Sequence, residues 1–555
     1  MNASFKQEEL DKIKTRALSG LEASENEPDQ MLQNVSAVLN FGKQHPYGEV
    51  QTKESVGKVT LDQVKRYYSS YFRPNVAYMA IVGDVKMSEV KPLIEQYFGK
   101  WQKANVPVAT YSNPTAPTTA KVAFVPREGA VQSVINVTYP IDLKPGTADV
   151  IKARVANSIL GGGSNGRLFL DLREKHGWTY GSYSSINQDD LKGSFTAYAK
   201  GRNAVTDSSV AAIIDEMNML RNEPVDMEEL QNHITNMSGA FAIGLEDPAT
   251  VAQYAINIER YHMPKDYYQN YLKTLAAVTS ADVQAMAKKY INPKAANIVV
   301  VGSRDEVAKS LARFASNGKI EYYDAYGHPI AAAETTTKPA DISASQVIGN
   351  YIKAIGGEAA IKGIKDMKII SRGELQGKTL TLTEIKKTPS KMKQEISMEG
   401  MVLQKTVLNG DRGYQEVQGQ HQNLEGDDYT EAVEEADIYG VLNSAKYGRK
   451  YEVKGIEKQN GADAYKVEVT NATGEKSTEF YNVSDGLLVK KIQVVEGPQG
   501  SMSLATEYSD YQTVPGSGGY KMPYTIKLPL GPGMSITAKV QTAEINKGVD
   551  DAEFK

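Results

Sequence analysis

The sequence predicts a mixed α+β chain. Two copies of one α/β sandwich unit, the first truncated, precede a long antiparallel sheet curved as a half-barrel with one or two helices. Three observations carry this. First, residues recur at a fixed offset. Val59-Thr60 returns as Val278-Thr279, Val64 as Val283, Tyr71 as Tyr290, Pro74 as Pro293 and Val82-Gly83 as Val301-Gly302, each 219 positions on. Glu8-Glu9-Leu10 returns as Glu228-Glu229-Leu230, and Pro28 as Pro248, at an offset of 220. Second, helical and strand-like patterns alternate within each copy. Third, beyond Ala340 the pattern changes to many short alternating strands.

In the first copy, Leu10, Ile13, Ala17 and Leu21 share one face of a helix over 5–24. Pro28 opens a second helix, which ends before the turn His45-Pro46-Tyr47-Gly48. Residues 61–73 read as a third, Val76 to Val82 as a buried-type strand, and 88–101 as an amphipathic helix. Residues 103–119, with Pro107, Pro114 and Pro117, read as an extended, exposed linker. The second copy opens with strands at Val122–Val125 and Val134–Tyr139. A helix over 148–160 carries Ile151, Val155 and Ile159 on one face. A strand pair follows from Tyr180 to Gly201, turning near Asp189-Asp190. Helices then fill 207–290, with Asp247 as a candidate cap, up to a strand at Ile298–Val301.

Composition bounds the function. At 555 residues, about two to four domains are expected. A net charge of −4 and the lack of a basic tract give no sign of nucleic-acid binding. No uncharged apolar run reaches the ~18 residues of a membrane span. Met1-Asn2-Ala3-Ser4-Phe5 lacks the basic start and apolar core of a secretory signal. Cysteine is absent, which excludes disulfides, thiol catalysis and thiolate metal sites.

The stretch from Leu160 to Ser182 carries the most chemistry. Gly161, Gly162, Gly163 and Gly166 form a loop of little bulk, expected to be flexible. Arg167 to Lys175 reads as a short helix, closed by Gly177, and Tyr180 opens a strand. Neither nucleotide-binding pattern fits. Gly166 is followed by Arg167-Leu168 rather than Lys-Ser/Thr, and a helix rather than a strand precedes the glycines. Arg173 and Tyr180, seven residues apart, offer a guanidinium fork and a phenol for one backbone carbonyl.

Gly-Gly-Gly-Ser-Asn-Gly-Arg-Leu-Phe followed by Leu-Arg-Glu-Lys-His-Gly-Trp-Thr-Tyr resembles the second-half signature of the insulinase (pitrilysin) family of metallopeptidases. The resemblance implies that this half lacks zinc, that Arg173 and Tyr180 bind substrate, and that Gly161, Gly162 and Gly163 line the same site. The family's zinc motif, His-x-x-Glu-His, needs two imidazoles one helical turn apart. The six histidines (His45, His176, His233, His262, His328 and His421) contain no such pair. The third zinc ligand of the family falls near Gly20 here. Glu22, the nearest carboxylate, is more than half a turn from that face. No metal ligand is therefore assigned in this chain. Zinc is expected only on a partner or on a segment upstream.

Roughly 100 residues separate Lys121 from Glu228, whereas Glu8 lies almost at Met1. The repeat phase thus leads to the expectation that the first copy lacks its front half. Met1 would then be an internal residue of a longer product or a misassigned start.

After Ala331–Ala340, a linker by composition, Ser343 is placed to cap a helix bearing Val347, Ile348, Tyr351 and Ile352. Strands follow at Leu380–Lys386, Tyr465–Val469, Leu487–Val495 and Tyr524–Leu528. Asn409-Gly410 and Asp485-Gly486 read as turns, and a helix over about 429–446 interrupts the strands. Glu479 to Lys491 and Tyr508 to Tyr524 resemble the outer-membrane lipoprotein-carrier superfamily. That likeness implies a cell-envelope setting and a concave apolar face.

The expected organisation is 1–102, a truncated first unit; 103–119, a linker; 120–327, the second unit; 328–341, a linker; and 342–555, the β domain. The expected function is a non-catalytic subunit that binds peptide or unfolded polypeptide and complements a His-x-x-Glu-His chain. The alternatives are the rear portion of a self-sufficient zinc peptidase, and an envelope scaffold acting on a lipid or envelope protein through 342–555. A periplasmic or envelope location is expected, and the chain as given is not expected to hydrolyse peptides.

Overall fold

A computed structural model describes every residue except 1–2, 25–26, 128–129, 332–339, 376, 418, 460, 498–499 and 532–533. The chain divides into two compact units, Met1–Ala332 and Ala333–Lys555. Among the described residues, no helix is long and apolar enough to cross a membrane.

The first unit opens with helices α1 (Gln7–Ser24), α2 (Pro28–Phe41), α3 (Lys53–Lys58), α4 (Leu61–Tyr71) and α5 (Met87–Phe98). Then come β1 (Lys121–Pro126), β2 (Gln132–Ile141), α6 (Asp149–Gly161), α7 (Arg167–Phe169), β3 (Thr179–Asn187), β4 (Gly193–Arg202) and α8 (Thr206–Asn222). The unit closes with α9 (Met227–Gly244), α10 (Pro248–Arg260), α11 (Tyr271–Ala276), α12 (Ser280–Tyr290), β5 (Asn297–Gly302), α13 (Lys309–Leu311), β6 (Ile320–Tyr323) and β7 (Pro329–Ile330). The strands form one sheet in the order β3-β4-β2-β5-β1-β6-β7. At its centre β5 runs parallel to β1 and antiparallel to β2. All six residues of β5 are buried, which is why this strand reads as a continuous apolar run.

The internal repeat holds element by element. Helix α1 matches α9 at both ends with an offset of 220, and α2 and α10 begin at Pro28 and Pro248. Helix α4 matches α12 at an offset of 219. Both start with a capping box: Thr60 takes the N–H of Gln63, and Thr279 that of Asp282. A short 3₁₀ turn follows each, at Pro74–Val76 and Pro293–Ala295.

What differs is burial. One face of the sheet packs on α6, α8 and α12 through a core that includes Phe124, Ile159, Ile213 and Val283. The other face is covered by α2, whose Met31, Leu32 and Val35 meet Ala123, Val125, Val134, Val299 and Val301. Buried amides fix the register of that contact. The Asn40 amide donates to Thr138 (2.8 Å), Asn297 donates to Asn40 (3.1 Å), and Asn136 donates to Ser36 (3.1 Å). Residues 1–102, set apart by the sequence as a unit of their own, thus share one compact unit with 120–327. Their second helix completes the other copy's sandwich.

Several expectations need correction. Val76 to Val82 is not a buried strand. The segment follows a 3₁₀ turn, no strand pairs with it among the described residues, and Val76, Tyr78, Met79, Ile81 and Val82 are exposed. An apolar run becomes a buried strand only when neighbours satisfy its ladder groups. The linker expected over 328–341 starts later, because Pro329–Ile330 pairs with β6. Most of it, 332–339, lies outside the described residues. The linker 103–119 has no helix or strand and is mostly exposed, but Lys192 ties it down by donating to Asn113 (3.1 Å).

The second unit begins with α14 (Ala344–Ala354) and α15 (Gly357–Lys362). Its strands are β8 (Asp366–Leu375), β9 (Lys378–Lys387), β10 (Lys391–Met398), β11 (Met401–Asn409), β12 (Arg412–Val417) and β13 (Gln420–Asn423). After α16 (Gly426–Ala436) come β14 (Lys450–Gln459), β15 (Ala462–Thr470), β16 (Lys476–Asn482), β17 (Leu488–Gly497), β18 (Gly500–Thr513), β19 (Lys521–Gly531) and β20 (Met534–Ile545). They form one sheet of thirteen strands, in which the meander β8–β13 joins the meander β14–β20 through the β20–β8 pair. Strands β13 and β14 stand at opposite ends, so the sheet is open. Ser343 caps α14 with a capping box, and Val347 and Ile348 pack on Val467, Val469 and Tyr481. The face beneath α14 is not purely apolar: Tyr351 packs edge-on against Tyr481, whose hydroxyl donates to Glu479. The helix expected over 429–446 ends at Ala436. Asp437 leaves helical geometry there, and its carboxylate takes Tyr439 N–H, the Asn443 amide and the Tyr447 hydroxyl.

Candidate functional site

The Gly-rich stretch is built for close packing. Gly161 is the last residue of α6 and is buried. A Cβ there would lie 2.5 Å from the Ser184 backbone nitrogen and 2.9 Å from Leu168. A Cβ on Gly162 would lie 2.5 Å from Ser158, and one on Gly166 2.7 Å from Gly161. Only Gly163 is needed for its backbone, at φ +145° with open space around it. The loop expected to be flexible is therefore where helix α6, α7 and strand β3 approach most closely. Absent side chains permit that approach.

The chain then enters α7 and a π-helical turn over Leu170–Lys175. Arg167 anchors this turn. Its Nε and Nη2 donate to the two carboxylate oxygens of Glu229 on α9, at 2.8 and 2.7 Å. Such a fork fixes direction as well as distance, and the hydrogen bond raises the Arg167 pKa. Beside it, burial pushes the Glu216 carboxyl up and the His233 imidazole down. His233 Nδ1 lies 2.9 Å from the Ser158 hydroxyl.

Arg173 and Tyr180 hang from this frame. The Arg173 guanidinium lies over the Phe169 ring at 4.8 Å. The Tyr183 ring meets the same Phe169 at 5.8 Å. Phe169, itself buried, thus connects the arginine to strand β3. The Arg173 side chain remains 47% exposed and pairs loosely with Glu174 (3.7 Å). Tyr180 follows the left-handed turn at Gly177 and the stacked pair His176–Trp178. It is 59% exposed. The β3–β4 register slips between Thr179 and Ser182, so Tyr180 and Gly181 form a bulge. Strand β3 is an edge of the sheet, but Asn157 donates to the Ser184 carbonyl (3.1 Å) and occupies its middle. Side chains rather than a free ladder are therefore what this surface presents.

The structure holds both predicted residues on one short frame and leaves both exposed. Among the described residues no hydrogen bond joins them. Sequence reasoning missed Phe169 and the Arg167–Glu229 fork. Glu229 was visible only as a member of the repeated Glu-Glu-Leu, and nothing in spacing tied it to Arg167. For a metal, no group of three ligating side chains exists among the described residues. Glu22 is exposed on α1.

Residues 58–237 match the family described as the peptidase M16 inactive domain. A protein of Streptomyces coelicolor named an uncharacterized zinc protease is 24% identical over 316 residues, covering 55% of this chain and 68% of its own. One of Helicobacter pylori, named a non-peptidase homolog, is 20% identical over 302 residues, covering 54% and 69%. The chain thus spans about two thirds of each. The crystal structure of a peptidase M16 inactive domain from Pseudomonas fluorescens shares the fold, with TM-score 0.51 and 21% identity over 54% of this chain and 72% of that one. The insulinase-like signature of the Gly-rich stretch and the fold around it agree with that match, and residues 58–237 are similar to the peptidase M16 inactive domain.

Proposed function

We propose that this chain is a peptide-binding, zinc-less subunit that complements a zinc-bearing M16-type partner. The observation that carries this is the pair Arg173 and Tyr180. Both are solvent-exposed, and the ionic neighbour of Arg173, Glu174, lies 3.7 Å from its Nε, beyond hydrogen-bond distance. Arg173 is held through its π-face on Phe169, which leaves the rim N–H groups for a ligand. Tyr180 is held by the backbone bulge, and among the described residues its hydroxyl makes no hydrogen bond. A peptide carbonyl polarised by these two donors would be a better electrophile for chemistry on the partner. Zinc belongs to that partner in this reading, and a cell-envelope location suits a protein handling unfolded polypeptide there.

The test is to mix the chain with a His-x-x-Glu-His protein of the same organism and assay a quenched peptide. Hydrolysis should exceed that of the partner alone; Arg173→Met should lower the gain about ten-fold, the size of one lost charge-assisted hydrogen bond, and Tyr180→Phe by about five-fold, the size of a neutral one. No gain over the partner would end the proposal.

For residues 342–555, the open sheet with α14 laid on it supports a second role, holding an envelope lipid or protein. Lipid extracted from the purified chain and identified by mass spectrometry would support it.

A further inference from the structure

We infer that Glu479 and the tyrosines around it bind an alkylammonium group on the sheet face of the second unit that carries α14. The register places these residues together. Glu479 pairs with Val467, and Tyr481 with Tyr465. Val467 packs beneath α14, so Glu479 and Tyr481 share that face. The face can be followed strand by strand. Glu479 stands opposite Lys491, and Lys491 opposite Thr506. Two residues on, Tyr508 pairs with Ile526, and Ile526 with Ala538. Two further on again, Val540 pairs with Ser371, and Ser371 with Leu382. Glu384 therefore lies on the same face, opposite Gln394.

The charges on this face do not balance locally. Glu384 is paired with Lys386 at 2.7 Å. Glu435 accepts from the Gln394 amide at 2.8 Å. Glu479 is 7% exposed and takes the Tyr481 hydroxyl on one oxygen. Among the described residues its other oxygen accepts no hydrogen bond. Lys491 faces it in register, yet the two make no ion pair among the described residues. A buried carboxylate with one phenol for a partner still lacks a counter-charge. The surroundings suit an organic cation. Tyr351 of α14 packs edge-on against Tyr481, with ring centroids 5.3 Å apart. Burial, and then the charges of Glu479, Glu384 and Glu435, push the Tyr508 phenol up, so this ring sits within reach of all three carboxylates. Tyr351, Tyr508 and Tyr520 each stay part-exposed, so solvent reaches the cluster. Aromatic faces attract an ammonium group, and a carboxylate oxygen with free lone pairs takes its N–H. A hard metal ion needs more ligands than this, and no group of three ligating side chains exists among the described residues. The ammonium arrives on a small amine or on a lipid head. For the lipid head this rests on the second role proposed above for residues 342–555; for the small amine it stands apart from both roles.

The experiment is isothermal titration calorimetry on the full chain with n-butylammonium, its neutral counterpart n-butanol and the anion butyrate. Butylammonium should bind at least ten-fold more tightly than either. Glu479→Gln, which keeps the size and an acceptor oxygen, should bring butylammonium down to the level of butanol. Glu507→Gln, next to Tyr508 but on the opposite face, should leave it unchanged. Butanol binding as tightly as butylammonium in the parent chain would overturn the proposal without recourse to any variant. No binding of butylammonium, or an unchanged affinity in Glu479→Gln, would overturn it as well. Flotation with vesicles of phosphatidylethanolamine against phosphatidylglycerol separates the sources. A preference for the first that Glu479→Gln removes assigns the lipid head; butylammonium binding without that preference assigns the small amine. Peptide hydrolysis with the zinc-bearing partner should be the same for the parent and Glu479→Gln, so failure of the peptide proposal and failure of this one are read separately.

Discussion

Truncating Leu32 to alanine tests whether the first copy is structurally part of the second. Leu32 is 1% exposed on α2, against a sheet face made of Ala123, Val125, Val134, Val299 and Val301. The helix cannot settle into the gap freely, because Asn40 and Ser36 are hydrogen-bonded to Thr138, Asn297 and Asn136 on that sheet. A cavity should therefore persist, and the loss should be about 2–5 kcal/mol. The readout is urea unfolding followed by tryptophan fluorescence, since Trp178 packs on the core of the same sheet. Val251→Ala at the matching face of α10 is the control; Val251 is exposed, so a change within about 0.5 kcal/mol is expected. If Leu32→Ala changed the transition by less than about 1 kcal/mol, or moved only an early step that left Trp178 undisturbed, α2 would be an appendage. The one-unit account would then be wrong.

Four further outcomes follow from named contacts. Gly161→Ala should destabilise the first unit by about 1–3 kcal/mol, because its Cβ meets the Ser184 backbone rather than a movable side chain; thermal melting checks it. Glu229→Gln should cost about 1–3 kcal/mol by breaking the fork to Arg167, a part-buried charge left with one poor partner. Glu216 is buried and its folded-state pKa is raised, so the ionised form costs stability and the cost falls as pH drops through that raised value. Denaturation at several pH values should show the parent gaining on Glu216→Gln as the solution is acidified from neutrality. Ser343→Ala should destabilise the second unit by about 1 kcal/mol by removing the cap of α14, measured by the same unfolding assay.

Much of the fold was legible because local rules and burial agree. Asp247, Ser343 and the Asp189 turn act as their residue types imply: Asp247 takes the Ala249 N–H at 3.0 Å, and Asp189 takes the Leu191 N–H at 2.7 Å. The repeat offsets matched helix ends to the residue because capping boxes and prolines fix those ends. What failed was everything that depends on a neighbour. The run Val76–Val82 has the composition of a buried strand, but composition cannot say whether flanking strands are there. The glycines at 161–163 read as loop chemistry, whereas Gly161 answers to an atom distant in sequence, the Ser184 backbone nitrogen, and Gly162 to Ser158 one helical turn back. Arg173 and Tyr180 were found by type and spacing. The ring that orients Arg173, Phe169, was one residue among several apolar ones in the same helix.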